Sequence, residues 1–186
     1  MLRRLCVYCG SSNGAHPRYQ QCAEEVGHLL ALRRISLVYG AGNVGLMGTL
    51  ANAVLTAGGE VVGVIPQLLV DLELAHSGLH EMHVVDTMHE RKAMMAELAD
   101  AFLALPGGIG TLEEIAEILT WKQLKIHHKP VGILNLDGYY DSLLSFLDLS
   151  VREGFLSLEH RQALLVDDQG ERLVTRLAQA CLPPTS

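Results

Sequence analysis

The run LALPGGIGTLEEI, Leu103 to Ile115, limits the fold of this 186-residue chain more tightly than its composition does. An apolar strand end, Phe102 to Leu105, leads into the turn Pro106-Gly107-Gly108 and then into a helix, with Thr111 read as the cap that opens it. Such a passage points unpaired backbone N–H groups at whatever lies above the turn. Glycine permits close approach and a helix N-terminus favours an anion, so the run predicts a phosphate cradle. At about 100° per residue from Thr111, the residues Leu112, Ile115, Ala116, Ile118, Leu119 and Trp121 form one apolar arc, with Glu113, Glu117 and Thr120 opposite. Glu114 falls inside the arc, beside Ile118 and Trp121. An unpaired buried charge is expensive, so this carboxylate needs a partner or a task.

Strand and helix patterns alternate along the whole chain, which predicts an α/β fold with a parallel sheet covered by helices on both faces. The expected strands are Leu5–Tyr8, Ser36–Tyr39, Val61–Ile65, His83–Val85, Ala101–Leu105 and Val131–Leu134. The expected helices are Pro17–Leu32, Gly45–Ala57, Met88–Ala99, Thr111–Leu124, Tyr140–Glu153 and Gly170–Cys181. With no repeat or linker, residues 1–186 read as a single domain, ending in a frayed tail from Leu182 to Ser186. Pro66 to Met82 is too long for an ordinary connection and rich in Leu, which makes it a candidate wall of a pocket.

In open parallel sheets, ligands bind beyond the carboxyl ends of the strands. Two further glycine turns fall there, Cys9-Gly10-Ser11-Ser12-Asn13 and Gly40-Ala41-Gly42-Asn43-Val44-Gly45. The second matches GxGxxG, but it follows the second strand rather than the first. The acid about twenty residues on, Glu60, precedes its strand instead of ending it, so a nicotinamide cofactor is disfavoured.

Charge narrows the partners. Fourteen Lys and Arg against 21 Asp and Glu give a net charge of −7 with no long basic run, which disfavours nucleic acid while leaving room for one small phosphorylated ligand. No signal-length or membrane-spanning apolar run is present, so the expectation is a cytoplasmic protein with no membrane partner. Cys6 and Cys9 form a CxxC inside a strand-like run rather than at a helix start, and no second pair completes a zinc site. His76 with His80, and His127 with His128, read as residues of solvated loops rather than metal ligands. No metal is expected.

The segment from Asp86 to Lys92 also leaves a strand and opens a helix. Met88, Met95, Leu98 and Ala99 share one face, and Arg91 and Lys92 fall among them while Glu90 and Glu97 point away. Two cations therefore occupy a side expected to be dry. Either Arg91 and Glu114 form an internal ion pair between adjacent helices, or they line a site that joins a cationic clamp to a carboxylate.

PGGIGTLEE, Pro106 to Glu114, resembles the PGGxGTxxE signature of the LONELY GUY family of cytokinin-activating phosphoribohydrolases. CVYCGSS, VYGAGNVGLMG, VVDTMHERKAMM and ILTWKQLKIHHKPVGILNLDGYYDSLL are similar to family segments in the family's order, from about Leu5 to about Phe155. Related sequences have carried the label lysine decarboxylase, for which the chain shows no evident pyridoxal-phosphate lysine setting. The resemblance implies a modified Rossmann fold, a homodimer, and hydrolysis of the N-glycosidic bond of a nucleoside 5′-monophosphate to free base and ribose 5-phosphate. AMP and cytokinin riboside monophosphates are the implied substrates, and no cofactor is implied. It assigns catalysis to Arg91 and Glu114, and substrate contacts to Glu73, Lys92, Gly108, Ile109, Gly110, Thr111, Leu112, Glu113 and Thr120. Met88, Gly107, Ser11, Gly42 and Gly45 complete the expected substrate-binding set. Many members carry Tyr where this chain has Ile109. The contrasting expectation is a nucleotide carrier or sensor with the same cradle and no turnover.

Overall fold

The computed structural model describes residues 1–72 and 74–182. Seven parallel strands form one sheet in the order β4-β3-β2-β1-β5-β6-β7. They are β1 (Arg4–Tyr8), β2 (Ser36–Tyr39), β3 (Val61–Pro66), β4 (Glu81–Val85), β5 (Ala101–Ala104), β6 (Val131–Leu134) and β7 (Leu164–Asp167). The helices are α1 (Pro17–Leu32), α2 (Gly45–Thr56), α3 (Gln67–Asp71), α4 (Met88–Leu98), α5 (Ile109–Gln123), α6 (Asp141–Arg152), α7 (Leu158–Gln162) and α8 (Gly170–Ala180).

Side chains alternate across the sheet with the strand period of two. Leu5, Val7, Leu37, Tyr39, Leu103 and Leu105 pack toward α1, α2 and α8, whereas Cys6, Tyr8, Val38, Phe102 and Ala104 pack toward Met95 of α4 and Ile115 and Ile118 of α5. Both faces are therefore buried, which is why these strands read as continuous apolar runs. Full burial of each such large side chain contributes about 1.5–3 kcal/mol.

The chain lays down β1 to β4 in one direction, returns through α4, and adds β5 to β7 on the other side of β1. Right-handed crossovers then put α4 and α5 together on the face opposite α1 and α2. Loops diverge where the direction reverses, at the carboxyl ends of β1 and β5.

Three local expectations change. β7 adds a seventh strand from a four-residue run, Leu164 to Asp167, too short to stand out between two helical patterns. Helix α5 opens at Ile109 with Gly108 as its cap residue, so Thr111 is not the cap but a buried first-turn residue, 3 % exposed. The long Pro66–Met82 segment contains α3 and is tied back to the second glycine turn, where Gly42 bridges Ala75, Asn43 N–H donates to Leu74 O, and His76 N–H donates to Ala41 O.

Candidate active site

α4 begins with a reciprocal cap. Thr87 Oγ1 accepts from Glu90 N–H at 3.1 Å, and Glu90 Oε2 accepts from Asp86 N–H at 3.0 Å. That cap fixes the register that turns Arg91 and Lys92 inward, 7 % and 6 % exposed. From α5, Glu114 meets Arg91, with Nη1 donating to Oε1 at 2.8 Å and side-chain exposures of 8 % and 11 %. Arg91 Nε also donates to Val64 O in β3, at 3.2 Å. Two of the guanidinium's edges are thus fixed, one by a strand carbonyl and one by the carboxylate. Burial pushes the Glu114 pKa up, the charge and hydrogen bond of Arg91 pull it down, and the net shift is upward.

The pair lies in a cleft of about 340 Å³ over the carboxyl ends of the strands. Ser11, Gly42, Met88, Gly108, Ile109, Gly110, Thr111 and Glu113 line it with Arg91 and Glu114, so ten of the expected site residues are brought together. The first main-chain bond of α5 runs from Leu112 N–H to Gly108 O. The amides of Ile109, Gly110 and Thr111 precede that ladder and form a cradle for an anion at the cleft wall. Gly107 lies just behind the wall, where a Cβ would overlap the Thr111 side chain, and its carbonyl accepts from Tyr139 Oη at 2.6 Å. Gly45, at φ +62, does not line the cleft but presses against the Ser11 backbone, so the second turn supports the first.

Other expected residues point elsewhere. Lys92 does not line the cleft; its ammonium is held by Glu113 and, at 3.1 Å, by Glu117. The α5 side expected to face solvent through Glu113 and Glu117 therefore closes onto α4. Burial lowers the Lys92 pKa, but hydrogen bonds and charge attraction from the two glutamates outweigh it and raise it overall. Leu112 and Thr120 face the opposite side, into a groove between α5, α6 and α7, and Thr120 Oγ1 donates to Ala116 O at 2.8 Å. Glu73 lies outside the described residues.

The cleft also uses residues outside the expected substrate-contact set. Cys9, Gly40, Val44, Met47, Ile65, Leu69 and Leu74 complete its lining. Leu69 and Leu74 bear out the expectation that the long segment walls a pocket. Val44, Leu74, Met88 and Ile109 are 48 %, 38 %, 48 % and 82 % exposed, giving an apolar rim beside the polar floor. His76 is not on a solvated loop: it is 7 % exposed, and its Nε2 lies 3.1 Å from Asn52 Oδ1. His127 is half-buried, with Nε2 at 3.0 Å from Ile118 O. Among the described residues, no group of three or more His, Cys, Asp or Glu stands together as metal ligands do. Cys6 and Cys9 are buried free thiols, and burial pushes Cys6 up to about 12, far from a reactive thiolate.

The sequence profile of the family described as "Possible lysine decarboxylase" matches residues 47–177. The chain is 52 % identical over 182 residues to the probable cytokinin riboside 5′-monophosphate phosphoribohydrolase LOGL5 of Oryza sativa subsp. japonica, covering 98 % of this chain and 74 % of that protein. The chain belongs to the LOG family. Its likeness extends to the Arabidopsis thaliana cytokinin riboside 5′-monophosphate phosphoribohydrolase LOG4, 52 % identical over 95 % of this chain and 82 % of that one. Solved structures place the LOG fold more widely. The molybdenum cofactor binding protein from Rippkaea orientalis superposes with a TM-score of 0.73 at 21 % identity, covering 98 % of this chain and 99 % of that one. The Chlamydomonas reinhardtii molybdenum cofactor carrier protein does so at 0.71 and 18 %, covering 97 % and 98 %. At such identities the shared property is the fold.

Proposed function

We propose that this chain, acting as one domain from end to end, hydrolyses the N-glycosidic bond of a nucleoside 5′-monophosphate, releasing free base and ribose 5-phosphate. The observation that carries the reading is the buried Arg91–Glu114 pair on the floor of a cleft whose wall is the amino end of α5. The amides of Ile109, Gly110 and Thr111 hold the 5′-phosphate, with Ser11 and Gly42 opposite them. The sugar then lies over Glu114. Glycosidic cleavage develops positive charge on the sugar, and a carboxylate in a partly desolvated floor stabilises that charge and orients the attacking water. Arg91 keeps Glu114 ionised and fixed in direction and offers hydrogen bonds to sugar or phosphate oxygens. Glu113, braced by Lys92, stands at the same wall within reach of sugar hydroxyls.

The apolar rim decides the base. Leu69, Leu74, Val44, Met88 and Ile109 suit a prenylated adenine better than adenine alone, so cytokinin riboside monophosphates are the preferred substrates and AMP the poorer one. The 52 % identity to proteins named for that substrate supports the same choice. Incubation with isopentenyladenosine 5′-monophosphate is expected to yield isopentenyladenine and ribose 5-phosphate, and the unphosphorylated riboside is expected to be inert. Equal turnover of the riboside would refute the phosphate cradle.

We also propose a cytoplasmic homodimer. Free cysteines suit a reducing compartment, and no described helix is long and apolar enough to cross a membrane. Phe146, Leu149, Phe155 and Leu158, 61 %, 42 %, 86 % and 58 % exposed, flank the groove between α5, α6 and α7 and form a surface that a second copy would cover. Sedimentation is expected to give about twice the 20.2 kDa chain mass; a monomer at micromolar concentration would reject the dimer.

A further inference from the structure

Among the residues lining the cleft, Gly40 stands out because its backbone does not explain it. Its φ lies outside the left-handed region that requires glycine, unlike that of Gly45. The position is instead explained by what faces its missing side chain. A Cβ there would overlap Nη2 of Arg91 and lie 2.9 Å from Cζ and 3.3 Å from Nε, and no other atom is as near. The guanidinium meets Gly40, just past the end of β2, tip-first through Nη2. From that socket it donates to Val64 O in β3 and to Glu114 on α5. Neither bond survives unchanged if the guanidinium moves away from β2.

We infer that Gly40 is a positioning residue for the hydrolytic site: its lack of a side chain forms the socket that seats the Arg91 guanidinium and so aims and charges Glu114. The inference deepens the function proposed above and rests on Glu114 doing the chemistry. It makes an unusual demand on a substitution. The atoms that collide are the far end of a flexible side chain, so Gly40→Ala is accommodated by swinging Arg91 out of its socket rather than by moving backbone. The fold tolerates the change and the site does not. Among the described residues, Glu114 would then keep Lys92 nearby as a cation, with Glu113 from its own helix and Cys6, Tyr8 and Cys9 from β1 and its turn as further titratable neighbours.

The test is a cycle of four proteins: wild type, Gly40→Ala, Arg91→Ala and the double variant. Each is assayed for kcat, KM and pH profile on isopentenyladenosine 5′-monophosphate, and the Gly40→Ala crystal structure is determined. Gly40→Ala is expected to lower kcat by about 10²-fold, the effect of a small misplacement at a reacting centre. Its acidic limb in kcat/KM is expected to move to higher pH. In the Arg91→Ala background the same change is expected to cost no more than about twofold, because the two positions act through one contact. A Gly40→Ala enzyme with wild-type kcat, an equal loss in both backgrounds, or a raised KM in both, the mark of a merely narrowed cleft, would overturn the inference. Failure of Gly40→Ala to fold in both backgrounds would overturn it too. If the wild type hydrolyses no nucleotide, the proposed function falls, and the crystal structure still decides about Gly40: a displaced guanidinium supports the socket and an unmoved one rejects it.

Discussion

At position 114 a carboxylate sits where the helix pattern asks for an apolar side chain, and Arg91 is the neighbour that most favours its ionised form. Burial raises its pKa and Arg91 lowers it, leaving a net upward shift. The sign of the pH dependence follows. Because the ionised carboxylate is the working form, kcat/KM is expected to rise with pH through an acidic limb displaced upward from the usual carboxylate position. Arg91→Ala removes the downward pull, so its limb is expected at higher pH than the wild type's, a comparison that pH–rate profiles of the two proteins make directly. A limb that stays put would mean that Arg91 does not set the charge of Glu114.

The elements that deliver these side chains are set by short local signals, and those signals account for what the sequence revealed and what it concealed. The inward turn of Arg91, Lys92 and Glu114 was legible because three charges fell on apolar helix faces. The destination of Lys92 was not, because helical periodicity gives a direction and says nothing of the neighbouring helix that brings Glu113 and Glu117 to meet it. Leu112 and Thr120 were expected at the substrate through the family resemblance rather than through helical periodicity, and both line the groove between α5, α6 and α7 instead of the cleft. Gly40 was hidden for a different reason: its partner lies fifty-one positions along the chain, and glycine in a glycine-rich turn looks like a turn requirement. Gly45 is such a requirement. It combines φ +62 with a Cβ position occupied by the Ser11 backbone, which cannot swing away. Gly45→Ala is therefore expected to lower stability by more than about 1 kcal/mol, in contrast to Gly40→Ala, with thermal denaturation as the check. A melting temperature matching that of the wild type would show that the turn relaxes more freely than its packing implies.

Across the molecule, the reversal of strand order beside β1 gathers loops from β1, β2, β3, β4 and β5 around one opening. Polar groups cluster at the amino end of α5 and on the floor, while the apolar rim draws Leu69 and Leu74 from the long segment, Val44 from the second glycine turn, and Met88 and Ile109 from the starts of α4 and α5. The two are therefore separable by mutation. Leu69→Ala is expected to reduce kcat/KM for isopentenyladenosine 5′-monophosphate by roughly tenfold, the scale set by removing a few methylene contacts, while changing AMP turnover much less. Parallel losses on both substrates would place the prenyl group elsewhere. The solved molybdenum cofactor carriers share the fold at about one-fifth identity, so the fold by itself does not account for catalysis. The most direct measurement is free base released from isopentenyladenosine 5′-monophosphate by wild type and Glu114→Gln at equal, saturating substrate, with nucleotide binding followed in parallel by calorimetry. The expected result is a loss of at least about 10²-fold in release, with the folded variant still binding the nucleotide. Undiminished release from Glu114→Gln would contradict the account.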